Sequence, residues 1–371
     1  MTASGQLAED GRLALMTASL LRIGSDTKGP RVFREHVWPV LKSWADAAGA
    51  PKMLSLALSG DAAEAAALAA RAQTKALRAK VEMRQHGFDL VTVLDEDYPA
   101  ALGHLPDPPI VVWTHGQSSL LGRPAVAIVG SRQASPAGLE VARRLGQGLA
   151  AAGLVVVSGL ARGIDAAAHR GALRGGGLTL AVLGSGLDRV YPPEHRGLAA
   201  DVRASGCLIS ELPPGTPPLA RHFPMRNRII SGLARAVVVV EASDKSGSLI
   251  TARMALEQGR DVLAVPGNVV SGCHRGCHAL IKDGAKLVEN VEDILDEVGW
   301  TSPVVPLGGA QGNPSHTSTL LECISPGEAV TVEELAARSG LQTGPILAEL
   351  GRLELDGHIG RSGVGAYVRL D

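Results

Sequence analysis

The sequence predicts an α/β protein: a doubly wound parallel sheet flanked by a small helical N-terminal domain and a C-terminal winged-helix domain. Three observations predict it. Six short apolar runs recur from Ala125 onward: AVAIVG (125–130), LVVVSG (154–159), LTLAVLG (178–184), CLISEL (207–212), AVVVVEA (236–242) and DVLAVPG (261–267). They are apolar on both faces and rich in β-branched residues, as in strands of a parallel sheet covered on both sides. They repeat every 25–30 residues or so, the length of a βα unit with a right-handed crossover. Ala/Leu/Arg-rich stretches between them supply the helices.

Residues 1–88 read as helical and Ala-rich, through LALMTASLLRIG and the run Ala62–Arg84. LRIGSDTKGP punctuates them like a turn between short helices, so a SAM-like or helix-hairpin-helix domain is expected. The Pro-rich segment DEDYPAALGHLPDPPIVVW (95–113) reads as a connector that ends in a strand. The sheet domain then spans 89–299. Residues 300–318, rich in Gly, Pro and Ser, read as a linker. In 319–371, TLLECIS, VTVEELAARSG and TGPILAELGRLELDG read as three helices, and HIGRSGVGAYVRL as a hairpin. Helix–helix–helix–hairpin is the layout of a winged helix-turn-helix.

Among 371 residues, 36 Lys+Arg and 37 Asp+Glu leave a net charge of −1. The total conceals an asymmetry. Residues 123–290 hold 20 basic against 12 acidic side chains, whereas 315–371 hold 4 against 8. No acid falls between Leu212 and Val240, a stretch that carries Arg221, Arg226, Arg228 and Arg235. A local basic stretch is the footprint of an anionic partner, though a solvated face reads the same way. No apolar run is long enough to span a bilayer, and the N-terminus lacks a signal-peptide layout. With only four cysteines, the expected location is a reducing cytoplasm.

In the sheet domain nearly every apolar run ends in a small-residue cluster: Gly130-Ser131, Ser158-Gly159, Gly184-Ser185-Gly186 and Gly267. In a doubly wound sheet, ligands bind outside the carboxyl ends of the strands. Glycine there lets backbone N–H groups approach an anion, with a helix N-terminus behind it. VGSRQASPAG offers Gly130, Ser131 and Arg132 before a helix with Ser135 at its cap and Pro136 at its first position. SGLARGIDAAAH offers Gly159 and Arg162. Its Asp165 and His169, one helical turn apart, fit an acid/base pair or a capping and packing role, the second being favoured for want of a nearby nucleophile.

HFPMRNRIISGLARA supplies Phe223, Arg226, Asn227 and Arg228, preceded by Arg221. Pro224 is expected to hold Phe223 extended, so that the ring can stack on an unpaired base while arginines hold the backbone. The alternative is a core Phe223 and an internally paired Arg226. EASDKSGSLITA adds Lys245, Gly247 and Ser248 as another anion cradle. Glu241 fits a catalytic carboxylate or, preferably, an orienting partner for an arginine of FPMRNR. CHRGCH (273–278) has metal-ligand residue types, but no second cysteine pair complements it, and no metal or other cofactor is expected.

The motifs VGSR, SGLARGIDAAAH, LGSGLDRVYPPEH, ISELPPGTPP, HFPMRNRIISGLA, EASDKSGSLITARMALEQGRDVLAVPG and LIKDGA stand in the order found in the DNA-processing protein A family (DprA, or Smf), which roughly residues 90–298 closely resemble. The resemblance implies an extended Rossmann-like domain that binds single-stranded DNA. It also implies a homodimer that protects incoming strands in natural transformation, helps load the RecA recombinase and catalyses no established reaction. By motif position, Arg132, Phe223, Arg226 and Asn227 are its foremost DNA contacts, with Gly130, Ser131, Gly159, Gly247 and Ser248 offering backbone or hydroxyl groups. Two positions depart from the family pattern: Ala220 stands where a Lys is usual, with Arg221 beside it, and His195 replaces the usual Asn after YPxE.

Two other functions compete. Nucleotide phosphoribohydrolases share a Rossmann-like fold, but their PGGxGTxxE turn is replaced here by EASDKSGSLITA. A transcriptional regulator would read DNA through its winged helix, but the candidate recognition helix TGPILAELGRLELDG has one Arg and three acids, which opposes tight groove binding.

Overall fold

The computed structural model describes residues 3–24, 28–301, 323–324, 328–339, 346–347, 350, 353, 359–361 and 366–369. It divides into two compact units, Met1–Pro303 and Val304–Asp371.

A nine-stranded sheet organises the first unit. Its strands are β1 (Asp89–Thr92), β2 (Val111–Gly116), β3 (Ala125–Gly130), β4 (Val155–Ser158), β5 (Thr179–Val182), β6 (Cys207–Ser210), β7 (Ala236–Val240), β8 (Asp261–Ala264) and β9 (Lys286–Leu287), in the order β1-β2-β6-β5-β4-β3-β7-β8-β9. Neighbours from β6 through β9 are parallel, as the apolar runs predict. β1 and β2 extend the β6 edge antiparallel. The sequence reading did not foresee β1 or β9, because neither is apolar enough to register as a buried strand.

Strand order reverses at β3, which pairs with β4 on one side and β7 on the other. That junction is the switch point where doubly wound sheets bind ligands. Side chains of β3 alternate between two cores: Ala125, Ala127 and Val129 enter one, Val126 and Ile128 the other. Both faces are buried, so a polar/apolar alternation never appears in the sequence.

The helices of the sheet domain include α5 (Ala100–Gly103), α6 (Pro136–Ala151), α7 (Ile164–Arg174), α8 (Arg196–Ser205), α9 (His222–Leu233), α10 (Ser248–Glu257), α11 (Arg275–Lys282) and α12 (Val291–Glu297). α6, α7 and α12 cover one face; α5, α9, α10 and α11 cover the other. α6 begins as its sequence dictates: Pro136 takes the first position and the Ser135 hydroxyl accepts the Gly138 N–H at 3.1 Å.

The described residues ahead of β1 are mostly helical: α1 (Ala3–Gly24), α2 (Lys28–Val32), α3 (Trp44–Ser59) and α4 (Ala62–His86), with short helical turns at 33–40. They pack on the β1–β2 edge, where Leu15, Ala18 and Leu21 join Ile110 and Val111. The turn expected in LRIGSDTKGP falls at 25–27, outside the described residues.

A buried ionic knot fastens this junction. Arg22 donates to Glu211 and Asp107, each at 2.8 Å, and Arg228 donates to Glu211 at 2.6 and 2.7 Å and lies 3.1 Å from Asp107. Burial opposes ionisation of Glu211, but Arg22 and Arg228 outweigh it and hold its carboxyl below the usual range.

In the second unit, β10 (Ala329–Thr331), β11 (Ile359–Arg361) and β12 (Ala366–Arg369) form an antiparallel sheet in the order β10-β12-β11, with α13 at Val332–Ser339. Val330, Leu335, Ile346, Leu350, Leu353 and Ile359 make its core. The expected VTVEELAARSG helix begins only at Val332: its first two residues, Val330 and Thr331, belong to β10, a strand the sequence reading missed. The expected linker beyond Thr301 lies outside the described residues, as do most of the TLLECIS helix and parts of the third helix.

Candidate nucleic-acid interface

The residues singled out by sequence converge on the carboxyl edge of the sheet, but they divide into an exposed set and a buried set. Arg132 is exposed in the turn after β3. Its guanidinium carbon lies over the half-buried Phe223 ring, 5.5 Å from the centroid. On the same ring, Tyr191 packs at 5.6 Å with the planes tilted by 49°. Tyr191 is 40% exposed. Sequence reasoning did not select it, although an aromatic beside two prolines in YPPEH was the available signal.

Phe223 is not extended. It lies in the first turn of α9, where Pro224 is tolerated because the early N–H groups of a helix have no partner to lose. The helical spacing puts Phe223 and Asn227 on one face, and both are half-buried. Gly184, in the turn after β5, packs closely against the ring: a Cβ there would lie 2.8 Å from Phe223 Cδ1.

Arg226 points the other way and is 6% exposed. It donates to the carbonyl oxygens of Gly159, at 2.8 Å, and of Val182. Burial lowers its pKa to about 10 against the pull of Asp165. Arg228 is 8% exposed and belongs to the ionic knot. The expectation that both are surface contacts is therefore corrected: an acid-free sequence neighbourhood does not exclude acids brought in from Glu211, Asp107 and Asp165.

The expected glycine cradles are largely filled by the protein itself. A Cβ on Gly130 would meet the Val240 carbonyl oxygen at 1.8 Å, and one on Gly159 would meet the Arg226 guanidinium at 2.2 Å. The Gly159 N–H donates to Asp165 Oδ2 at 3.1 Å, and the Ser131 N–H to the Glu241 carbonyl at 2.8 Å. These glycines serve close packing. Gly247 is exposed with open space around it, beside exposed Lys245, whereas Ser248 is buried.

Arg162 is exposed and pairs with Glu194 at 2.5 Å. Arg221 is exposed ahead of α9 and lines a cavity of about 410 Å³ with Arg71 and Lys75 of α4. Those two cations come from the N-terminal helices and carry no local motif.

Asp165 and His169 do not face each other as an acid/base pair. Asp165 accepts from Gly159 and Ala161 N–H groups, and burial raises its pKa. His169 donates Nδ1–H to Thr179 Oγ1 at 2.7 Å, since that hydroxyl itself donates to the Val156 carbonyl. Burial drives the His169 pKa down to about 3. Glu241 does not orient an arginine of FPMRNR. It accepts from the Ser135 N–H at 2.9 and 3.0 Å and from the Ser135 hydroxyl at 2.5 Å, holding the start of α6.

The family profile described as DNA recombination-mediator protein A matches residues 89–299, and the DprA winged helix domain matches 310–363. Protein Smf of Escherichia coli (strain K12) is 40% identical over 298 residues, 78% of this chain and 79% of the relative. Among solved structures, DNA processing protein A from Streptococcus pneumoniae matches at 41% identity with a TM-score of 0.61, over 67% of this chain and 86% of that one. DNA processing protein A from Helicobacter pylori, solved for its single-stranded DNA binding mode, matches at 28% identity with a TM-score of 0.52, over 57% and 95%. A Rossmann-like sheet with an aromatic–arginine pair at its switch point, two family profiles in chain order and a relative aligned over most of both lengths lead to one assignment: the chain belongs to the DNA-processing protein A (DprA/Smf) family.

Proposed function

We propose that this protein binds single-stranded DNA along the carboxyl edge of its sheet, protects it, and helps load RecA onto it in transformation and recombination, acting as a homodimer and without catalysis. The observation that carries the reading is the exposed Arg132 guanidinium over the Phe223 ring, with Tyr191 alongside. Aromatic faces accept any base, and a neighbouring guanidinium accepts the backbone phosphate, which is the chemistry of sequence-tolerant single-strand binding. Asn227, Ser131, Arg162, Lys245 and Gly247 extend the contact surface, and Arg221 with Arg71 and Lys75 offers it a second basic stretch. The single-strand binding mode described for the Helicobacter pylori relative supports the same reading.

Fluorescence anisotropy with oligo-dT tests it. Binding is expected to weaken steeply with salt and to exceed binding to duplex of equal length. Equal affinity for duplex and single strand overturns the reading. Removing residues 315–371 is expected to leave single-strand affinity intact, since that segment is net acidic. Incubation with nucleoside monophosphates is expected to release no free base. Sedimentation is expected at twice 38.3 kDa, and RecA is expected to assemble sooner on strands carrying the protein.

A further inference from the structure

The motif CHRGCH, which the candidate interface does not use, is split by the fold. Cys277 is buried in α11 with Sγ 3.6 Å from the Val239 carbonyl, and His278 Nε2 lies 3.1 Å from the Gly267 carbonyl. Cys273 and His274 instead turn toward Glu241 at the end of β7. One ligand atom from each of Glu241, Cys273 and His274 lies within 4.8 Å of the other two. We propose that these three residues form a site for a divalent cation of the zinc class, at the switch point of the sheet.

Features of both His274 and Glu241 point to a ligand there. His274 Nδ1 is buried and has no hydrogen-bond partner among the described residues, a condition that buried polar atoms rarely tolerate. The ring is seated by Gly267, where a Cβ would stand 2.2 Å from it. The Glu241 carboxylate is 0% exposed, and no Lys or Arg among the described residues forms an ion pair with it. Only Ser135 and the start of α6 answer its charge, so a cation would complete the balance. The carboxylate is also oriented by its bonds from Ser135, and Cys273 Sγ lies 2.9 Å from Ser271 Oγ. Such outer partners are what aligned metal ligands carry.

The donor set selects the ion. Sulfur, imidazole nitrogen and one carboxylate oxygen suit zinc or cobalt and disfavour magnesium or calcium, which take oxygen ligands. Bonds of about 2.0–2.3 Å place tetrahedral donors roughly 3.5 Å apart, so donors within 4.8 Å of one another need to close by no more than about 1.3 Å. Three protein ligands leave a fourth position for water or an anion. The sequence spacing hid the site because its third ligand lies some thirty residues upstream of the cysteine.

The test uses the full chain, stripped of metal with a chelator and titrated with Co²⁺. One equivalent is expected to bind with a thiolate-to-cobalt charge-transfer band, displaced by Zn²⁺ and unaffected by excess Mg²⁺. Cys273→Ser is expected to abolish the band, and His274→Ala to weaken binding at least tenfold, while His278→Ala retains it. Circular dichroism of each variant, matching the parent, shows that the fold survives. Absence of the band in the parent, or its persistence in Cys273→Ser, overturns the proposal. Either result leaves the single-strand reading standing, because that rests on Arg132 and Phe223.

Discussion

Arg132 and Arg226 are both arginines of the candidate interface, yet their environments predict opposite phenotypes. Arg132 is exposed and stacked, so Arg132→Ala is expected to leave stability unchanged. It should weaken oligo-dT binding and reduce the salt slope by about one, as the loss of one phosphate contact does. Phe223→Ala should cost about 1–3 kcal/mol of binding, the worth of one stacked base. Arg226 is buried between two carbonyls near Asp165. Arg226→Ala should lower unfolding stability by about 3 kcal/mol in urea melts, because it leaves buried acceptors and a buried carboxyl without their cation. An Arg226→Ala variant as stable as the parent would refute that assignment. His169 gives a pH signature. Its folded pKa, near 3, lies below the ordinary 6.5. The unfolded chain therefore binds the extra proton between those values, and stability falls as pH drops through that window, by about 1.4 kcal/mol per pH unit. His169→Asn, which can keep the bond to Thr179, should flatten stability against pH between 6 and 4 or so.

At the scale of elements, the turns after β3 and β5 and the first turn of α9 make the candidate site together. None of them presents it alone. Gly184 is where two elements meet: its missing side chain is the space that the Phe223 ring occupies. Gly184→Ala should push the ring aside, at little cost in stability because the ring can rotate, and should weaken single-strand binding severalfold. Unchanged binding in that variant would show that the ring position does not matter. Glu241 is the counterpart on the β7 side. It adopts a left-handed φ of 55°, unfavourable for a residue other than glycine, and holds the cap of α6 from the neighbouring strand.

For the molecule as a whole, the helical segment and the sheet share one compact unit, held by the knot of Arg22, Asp107, Glu211 and Arg228. Arg22 is 1% exposed. Arg22→Ala breaks a buried network from one side and should destabilise the first unit by about 3–5 kcal/mol in denaturant melts. A far smaller loss would mean that water replaces the arginine at no cost. No helix among the described residues is long and apolar enough to cross a membrane.

The sequence by itself determined the parallel strands, the start of α6 and the family, and it singled out Arg132 and Phe223 as candidates, because these are written in contiguous runs: β-branched apolar blocks, a Ser-Pro cap, long motifs. Only the tertiary structure decided which arginines are free. Arg132, Arg226 and Arg228 look alike in sequence, and what separates them is a carboxylate or carbonyl from residues far along the chain. The same holds for the glycines, whose open-looking notches are filled by Val240 and Arg226, and for Glu241, whose partners are Ser135 and, by proposal, Cys273 and His274. Local pattern fixes which element a residue joins. Which groups a side chain meets depends on how distant strands and helices pack, and short-range spacing carries no record of that.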